Sequence, residues 1–205
     1  MTGRDNEQGD DLVVISGPSG VGKSTVVAEL LKRMPDLVFS VSATTRRPRG
    51  TEKDGVEYRF VDRAEFERRA AAGRFIEHAE VFGNLYGTPL EELEKARRAG
   101  KRLLLEIDVQ GGVQIRRRFP GALLIVIAPP APDVLRERLR GRGTESPGSV
   151  ARRLAAAGKE LAAARASGAY DAEVVNDVLS EAVDRCARLI ANKRRRIDDR
   201  TVEKR

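Results

Sequence analysis

The sequence is poor in the residues that build metal and redox sites. It holds one cysteine, Cys186, and one histidine, His78. A lone cysteine excludes an intrachain disulfide framework, and one of each cannot furnish a Cys/His zinc site. Tryptophan is absent, and aromatics make up only 4% of the 205 residues. The longest dense apolar run, Leu123 to Ala128, is far too short to cross a bilayer. The opening MTGRDNEQGDD lacks the apolar stretch of a secretory signal. A polar, flexible N-terminus over 1–10 and a cytoplasmic setting are therefore expected. Hydrophobic residues at 40% against 34% charged exclude a fully disordered chain, and the length suits one domain with inserted flaps.

The net charge is +7, and residues 193–205 carry seven basic and three acidic side chains. More than half of the excess thus sits in a basic C-terminal tail. Such a balance suits an anionic ligand. Arginine outnumbers lysine 30 to 8, so a compositional bias of the genome is an equally available reading of the tail.

Apolar runs and helical stripes alternate along the chain. Asp11 to Ser16, Lys101 to Ile107 (with LLLEI), Leu123 to Ala128 and Glu173 to Asn176 read as strands. Val27, Leu30, Leu31 and Met34 stripe a helix ended by Pro35. Pro132 to Arg140, Val150 to Arg165 and the stripe Leu179, Val183, Cys186, Ile190 give further helices. Asp62 with Glu65 has capping-box spacing, and Gly73 closes that helix. Thr88, Pro89 and Glu91 read as N-cap, first helical residue and capping partner of a helix closed by Gly100. Glu91/Lys95 and Glu94/Arg98 have the spacing of helical ion pairs. Phe39 to Ser42 looks like a strand end, 43–55 an exposed loop, Val56 to Val61 a strand and Gly83 to Gly87 a turn. Arg74 to Val81 is ambiguous. Fully apolar strands alternating with helices imply an α/β fold with a parallel sheet covered on both faces.

Gly17-Pro18-Ser19-Gly20-Val21-Gly22-Lys23-Ser24 matches G-x-x-x-x-G-K-[ST], between a buried strand and a periodic helix. Glycines let successive backbone N–H groups approach an anion, and the helix start adds unpaired donors and a positive dipole end. Lys23 supplies a point charge for β/γ-phosphates and Ser24 a hydroxyl for Mg²⁺. The pattern predicts binding of a nucleoside triphosphate. Glu106 and Asp108, at the end of a core strand and two residues apart, are candidates to handle the magnesium or its waters. Helix capping is their alternative role.

The reaction is narrowed by what surrounds the loop. The N/T-K-x-D element of a GTP switch is missing, because Asn192-Lys193 runs into Arg194-Arg195. Arginines gather instead in two turn-rich stations: Thr45-Arg46-Arg47-Pro48-Arg49, and Arg138 through Arg142 to Arg153. Two stations suit two phosphorylated partners, one holding an acceptor phosphate and one neutralising the transferred group.

The same residues resemble the guanylate kinase family. The similarity rests on Val14 to Gly20, Phe39-Ser40-Val41-Ser42-Ala43-Thr44-Thr45-Arg46-Arg47-Pro48-Arg49 and Phe75-Ile76-Glu77. It continues through Gly83-Asn84 with Tyr86-Gly87-Thr88, Glu106 to Gly111, Gly141-Arg142-Gly143-Thr144-Glu145 and Val175-Asn176-Asp177. It runs from about Leu12 to the last helix. Leu85 stands where the family commonly has tyrosine, and His78 where it often has an aromatic. The stretch 145–149 (ESPGS) is unusually turn-rich for the family's lid.

The resemblance implies ATP + GMP ⇌ ADP + GDP with Mg²⁺, and no role for membrane or nucleic acid. It implies a P-loop NTPase-type parallel sheet core (11–40, 93–137 and 155–197), a small, mostly β GMP-binding insertion at about 41–92 and a mobile lid at about 138–154. A monomer or a homodimer fits it equally. By matched position, Gly17, Pro18, Ser19, Gly20, Val21, Gly22, Lys23, Ser24 and Thr25 would bind ATP, with Asn176 and Asp177 near its adenine. Ser42, Arg46, Arg49, Tyr58, Glu77, Tyr86, Gly87, Thr88, Glu106 and Asp108 would bind GMP. Lys23, Arg46, Arg142, Arg153 and Arg138 would serve catalysis. Ser24 would take Mg²⁺, with Glu106 or Asp108 acting through water.

The chemistry agrees on its own terms. Guanine offers N1–H and N2–H₂ donors on one edge, which a carboxylate such as Glu77 accepts, whereas adenine would leave that carboxylate unpaired. Two other readings stay open at this stage. Scaffold domains similar to this family bind phosphopeptides but have lost the phosphate loop, which is intact here. A kinase of another phosphorylated acceptor would keep the loop and change the base pocket.

Overall fold

The structure is a computed structural model that describes residues 9–81, 83–141 and 147–202. In chain order it runs β1 (Leu12–Ser16), α1 (Lys23–Arg33), β2 (Leu37–Phe39), β3 (Ala43–Thr44) and β4 (Arg59–Phe60). Next come α2 (Arg63–Ala71), β5 (Phe75–Val81), β6 (Asn84–Pro89), α3 (Leu90–Arg98) and β7 (Arg102–Glu106). The remainder is α4 (Val109–Arg118), β8 (Leu123–Ala128), α5 (Pro132–Arg140), α6 (Pro147–Ser167), β9 (Ala172–Val175) and α7 (Leu179–Val202).

The main sheet is parallel in every pairing, in the order β2-β7-β1-β8-β9. The period-two alternation of β1 sends Val13 and Ile15 toward α1 and α7, and Leu12 and Val14 toward α3 and α4. Both faces are therefore dry, which is why the strands are apolar throughout. Fully burying each such aliphatic side chain contributes about 1.5–3 kcal/mol. The sheet's carboxyl ends place Ser16, Glu106 and Ala128 along one rim, the usual position for a ligand in an open α/β sheet.

A second sheet, in the order β4-β3-β6-β5, is mostly antiparallel, with β3 and β4 parallel. It is built around Ala43, Phe66 and Phe75, with the two phenyl rings stacked at 4.4 Å. Several local expectations change here. Phe39 to Ser42 is where the chain leaves one sheet for the other: Ser40 N–H still bonds Leu104 O, and Ala43 already belongs to β3. The loop read over 43–55 therefore begins as a strand, and of 56–61 only Arg59–Phe60 forms a strand, with Tyr58 in an isolated bridge to Asp54. Arg74 to Val81 resolves as β5. Gly83 is a turn residue at φ 77°, and Asn84 to Gly87 extends as strand against β5.

Helix ends follow the sequence in part. Asp62 caps α2 by accepting Glu65 N–H, and Gly73 and Gly100 follow α2 and α3 at positive φ. Thr88 does not cap α3. The N-cap is Pro89 without a side-chain bond, because the Thr88 hydroxyl is spent on Glu77. Lys95 pairs with Glu92, not with Glu91. Asp108 is not on strand β7 beside Glu106; it caps α4 by accepting Gly111 N–H at 2.8 Å. Of the segment expected to fray, residues 1–8 lie outside the described residues, while Gly9 O accepts Leu12 N–H in a turn leading into β1. The basic segment from Lys193 continues α7 as far as Val202.

Candidate functional site

The loop between β1 and α1 is shaped by three glycines at positive φ: Gly17 (141°), Gly20 (89°) and Gly22 (94°). Space as well as backbone conformation demands them at the ends. A Cβ on Gly17 would lie 2.3 Å from Ile127 O, and one on Gly22 would lie 2.5 Å from Asn176 Nδ2. Lys23 folds back over the loop, its Nζ donating to Gly17 O at 2.7 Å and Pro18 O at 3.1 Å. A cation is thus fixed above the helix N-terminus.

Residues distant in sequence complete this half. The buried Asn176 donates from Nδ2 to Val21 O at 2.8 Å, bracing the loop from the end of β9. Arg138 on α5 donates to Asn176 O, and Arg153 on α6 donates to Ser19 Oγ at 3.0 Å. Arg138 therefore meets the Asn176-Asp177 segment through backbone carbonyls. Arg142 lies outside the described residues. Ser24 Oγ donates to Glu106 Oε1 at 2.8 Å. A cavity of about 320 Å³ is bounded by Gly17, Gly20, Gly22, Lys23, Thr25 and Arg153, and also by Glu160 of α6.

A second cavity, of about 400 Å³, opens beside the first and is bounded by Ser42, Tyr58, Glu77, Tyr86 and Gly87. The two share Ser19, Lys23, Ser24, Glu106 and Asp108 as a common wall. Glu77, on β5, is 5% exposed. Its Oε1 accepts both the Thr88 hydroxyl at 2.8 Å and the Thr88 N–H at 3.1 Å. Burial pushes its pKa up to about 7; the Thr88 bonds oppose this and the nearby Asp108 charge adds to it. A Cβ on Gly111 would sit 2.9 Å from Glu77 Oε2, so glycine there keeps that oxygen uncrowded.

Behind Tyr58, which lines this cavity, lies Arg46, 9% exposed. Its guanidinium packs over the Tyr58 and Phe60 rings at 5.3 and 5.9 Å, and Tyr58 meets Tyr86 edge-on at 6.0 Å. Both terminal nitrogens of Arg46 donate to Glu52 at 2.9 Å. This bond raises the arginine's pKa and lowers that of Glu52. Arg49 joins through its backbone N–H, which donates to Glu52 Oε2 at 2.8 Å; its side chain is exposed on the rim.

The structure thus brings together the phosphate loop, Glu106, Asp108, Arg153, Ser42, Tyr58, Glu77, Tyr86, Gly87 and Thr88. Two participants were missed from sequence. Glu52 stands three residues after Arg49, a charge pattern that could have flagged it. Glu160 gave no local signal: it is a lone acid on an alanine-rich helix. Burial raises its pKa, with Lys23 opposing.

Known proteins resemble this chain over most of its length. Residues 9–193 match the family model described as guanylate kinase. The guanylate kinase of Thermobifida fusca is 50% identical over 190 residues, covering 93% of this chain and 95% of that protein. That of Gloeobacter violaceus is 49% identical over 179 residues, covering 87% and 86%. A crystal structure of guanylate kinase from Anaplasma phagocytophilum superposes with a TM-score of 0.70 at 38% identity, covering 89% of this chain and 85% of that one.

Proposed function

This chain belongs to the guanylate kinase family, and we propose that its two adjoining cavities divide the substrates between them, ATP along the phosphate loop and GMP against Glu77. The reaction is transfer of the γ-phosphoryl of ATP to GMP, giving ADP and GDP. The observation that carries the division of substrates is the shared wall of Ser19, Lys23, Ser24, Glu106 and Asp108. A donor phosphate in one cavity and an acceptor phosphate in the other would meet at that wall.

In this reading Glu77 reads the guanine donor edge with its ionised carboxylate. Thr88 holds one carboxylate oxygen in place, and Ser42 and Asp108 lie beside it. Arg46, braced by Glu52, and the Tyr58 and Tyr86 hydroxyls orient the acceptor phosphate, with Arg49 at its rim. That phosphate already bears the attacking oxygen, so no protein nucleophile is needed and catalysis is alignment with charge neutralisation. Lys23 steadies the charge moving onto the β/γ-bridge, and Arg153 with Arg138 and Arg142 neutralises the transferred group. Asn176 serves ATP by bracing the loop, and Asp177 lies next to it toward the base.

Mg²⁺ fits the donor set. Ser24, Glu106 and Asp108 are hard oxygen donors on one wall, and among the described residues no cluster of three or more acidic, histidine or cysteine side chains forms a metal cage. That suits an ion held largely by substrate phosphates and water. Bound there, it would supply charge neutralisation and alignment of the phosphates.

We assign the segment at about 41–92 as the acceptor-binding insertion, and about 138–154 as a lid whose closure excludes water. A cytoplasmic location accords with nucleotide substrates, and a monomer or homodimer with the site lying within one chain. No described helix is long and apolar enough to cross a membrane. Titration calorimetry tests the division of substrates. GMP and a non-hydrolysable ATP analogue bind together in the wild type, and Glu77→Gln loses GMP heat alone. Equal loss of both would refute it.

A further inference from the structure

Between the two sheets the backbone has a problem to solve. Ser40 N–H makes the last bond to the main sheet, on Leu104 O, and Ala43 is the first residue of β3. Val41 lies between them with no strand to accept its N–H. The acceptor is Glu92 of α3, whose Oε2 takes the Val41 N–H at 3.3 Å. Its Oε1 takes Arg59 Nη2 at 2.7 Å and Lys95 Nζ at 3.1 Å. Glu92 is only 7% exposed, and a carboxylate so enclosed is held by the bonds it makes.

Glu92 is fixed to the main sheet. The next residue, Leu93, is buried with Ala96 in the core beneath β7. From this anchor it grips β4 at Arg59 and, at Val41, the connector that leads into β3. Arg59 also donates its backbone N–H to Ser42 O at 2.8 Å, which closes a ring through Val41, Ser42, Arg59 and Glu92. Arg59 stands between Tyr58 and Phe60, whose rings pack on the Arg46 guanidinium.

We propose that Glu92 is a positioning residue for the acceptor nucleotide, acting through Val41 and Arg59 to set the spacing between Ser42 and Tyr58. The inference rests on the reading of the second cavity as the GMP site. Ser42 lies toward the base and Tyr58 toward the phosphate, so one carboxylate gauges the distance between the two ends of the ligand. The phosphate loop hangs from β1 and α1, and the ring's hydrogen bonds, Val41 to Glu92, Arg59 to Glu92 and Arg59 to Ser42, involve neither. The effect is therefore expected chiefly on the acceptor.

Steady-state kinetics on Glu92→Gln, Arg59→Met, the double variant and Arg59→Lys tests this. Each single variant raises KM for GMP about tenfold, with KM for ATP within about twofold. The double variant falls well short of the product of the two single effects, since the Arg59–Glu92 bond is lost in both singles, while Arg59 also pairs with Glu91 and Glu92 with Lys95. Arg59→Lys, which keeps a cation for Glu92, recovers most of the loss. The proposal is overturned if KM for GMP is unchanged, if both KM values rise together with a fall in Tm, or if the two single effects multiply. Should Glu92→Gln not fold, the two Arg59 variants decide alone by the same criteria. Glu77→Gln in the same series separates the two levels. If it too leaves KM for GMP unchanged, the acceptor-site reading fails; if it raises KM while the Arg59 and Glu92 variants do not, only the present inference fails.

Discussion

Thr88 holds Glu77 by two bonds at once, hydroxyl and backbone N–H both donating to Oε1, and so leaves Oε2 as the freer oxygen of a nearly buried carboxylate. The arrangement explains why Thr88 does not cap the helix that follows it. It also sets a chemical condition on the site. With a pKa of about 7, Glu77 is part protonated at neutral pH, and a protonated carboxyl cannot accept both guanine donors at full strength.

GMP affinity should therefore rise with pH through about 7 and level off above it, falling by up to about tenfold per unit on the acid side. Glu77→Gln should flatten that profile and weaken GMP binding more than ATP binding. The GMP phosphate titrates in both proteins, so the difference between their profiles isolates Glu77. Affinity by calorimetry from pH 5.5 to 8.5 checks this; parallel profiles would remove Glu77 from the base pocket.

The same shift affects folding. The native carboxyl binds a proton more tightly than the unfolded one, with a pKa of about 7 against 4.5. Between those values the native state holds more protons, so stability falls as pH rises through the window, by a total on the order of 3 kcal/mol. Glu77→Gln should remove that slope. The difference in Tm between variant and wild type should grow in the variant's favour from pH 5 to pH 8.

Lys23→Met should reduce kcat by about a hundredfold or more while leaving GMP binding intact, because the lost charge faces the donor phosphates. A single-turnover assay with GMP titrated separately reads both quantities. Undiminished turnover would dismiss Lys23 from the chemistry.

Gly17→Ala should destabilise by about 2–4 kcal/mol and abolish ATP binding, since its Cβ would strike Ile127 O and φ is 141°. Denaturant unfolding and nucleotide titration check it. A soluble, ATP-binding variant of unchanged stability would mean the loop is not held as described.

Arg46→Lys should raise KM for GMP by about tenfold, because a lysine cannot both bridge the Glu52 carboxylate and lie flat on Tyr58. Retention of wild-type KM would show that charge alone suffices there.

The parallel sheet was legible because burial on both faces writes unbroken apolar strands such as Leu123–Ala128. The phosphate loop was legible because its glycines take positive φ within one short run of consecutive residues. The small sheet was expected only from the family resemblance, not from its own residues. β3 and β4 have two residues each, too few for a period-two signal, and their partners are remote: Ala43 pairs with Gly87 and Arg59. The Asn176 side chain braces Val21, a contact across 155 positions with no sequence trace. Thr88 looked like a cap because capping chemistry and carboxylate bracing call for the same hydroxyl. Asp108 was open to both a strand-end and a capping reading, because the Gly111 N–H that it accepts is a backbone donor nearly any residue would supply.

The most direct measurement is the initial rate of ADP formation with GMP, AMP, CMP, UMP and a ribose phosphate, each offered at saturating ATP and magnesium. Two anion cavities with a guanine-reading carboxylate in one predict turnover with GMP and at least about a thousandfold lower kcat/KM with AMP. Comparable rates with AMP, or none with GMP, would contradict the account.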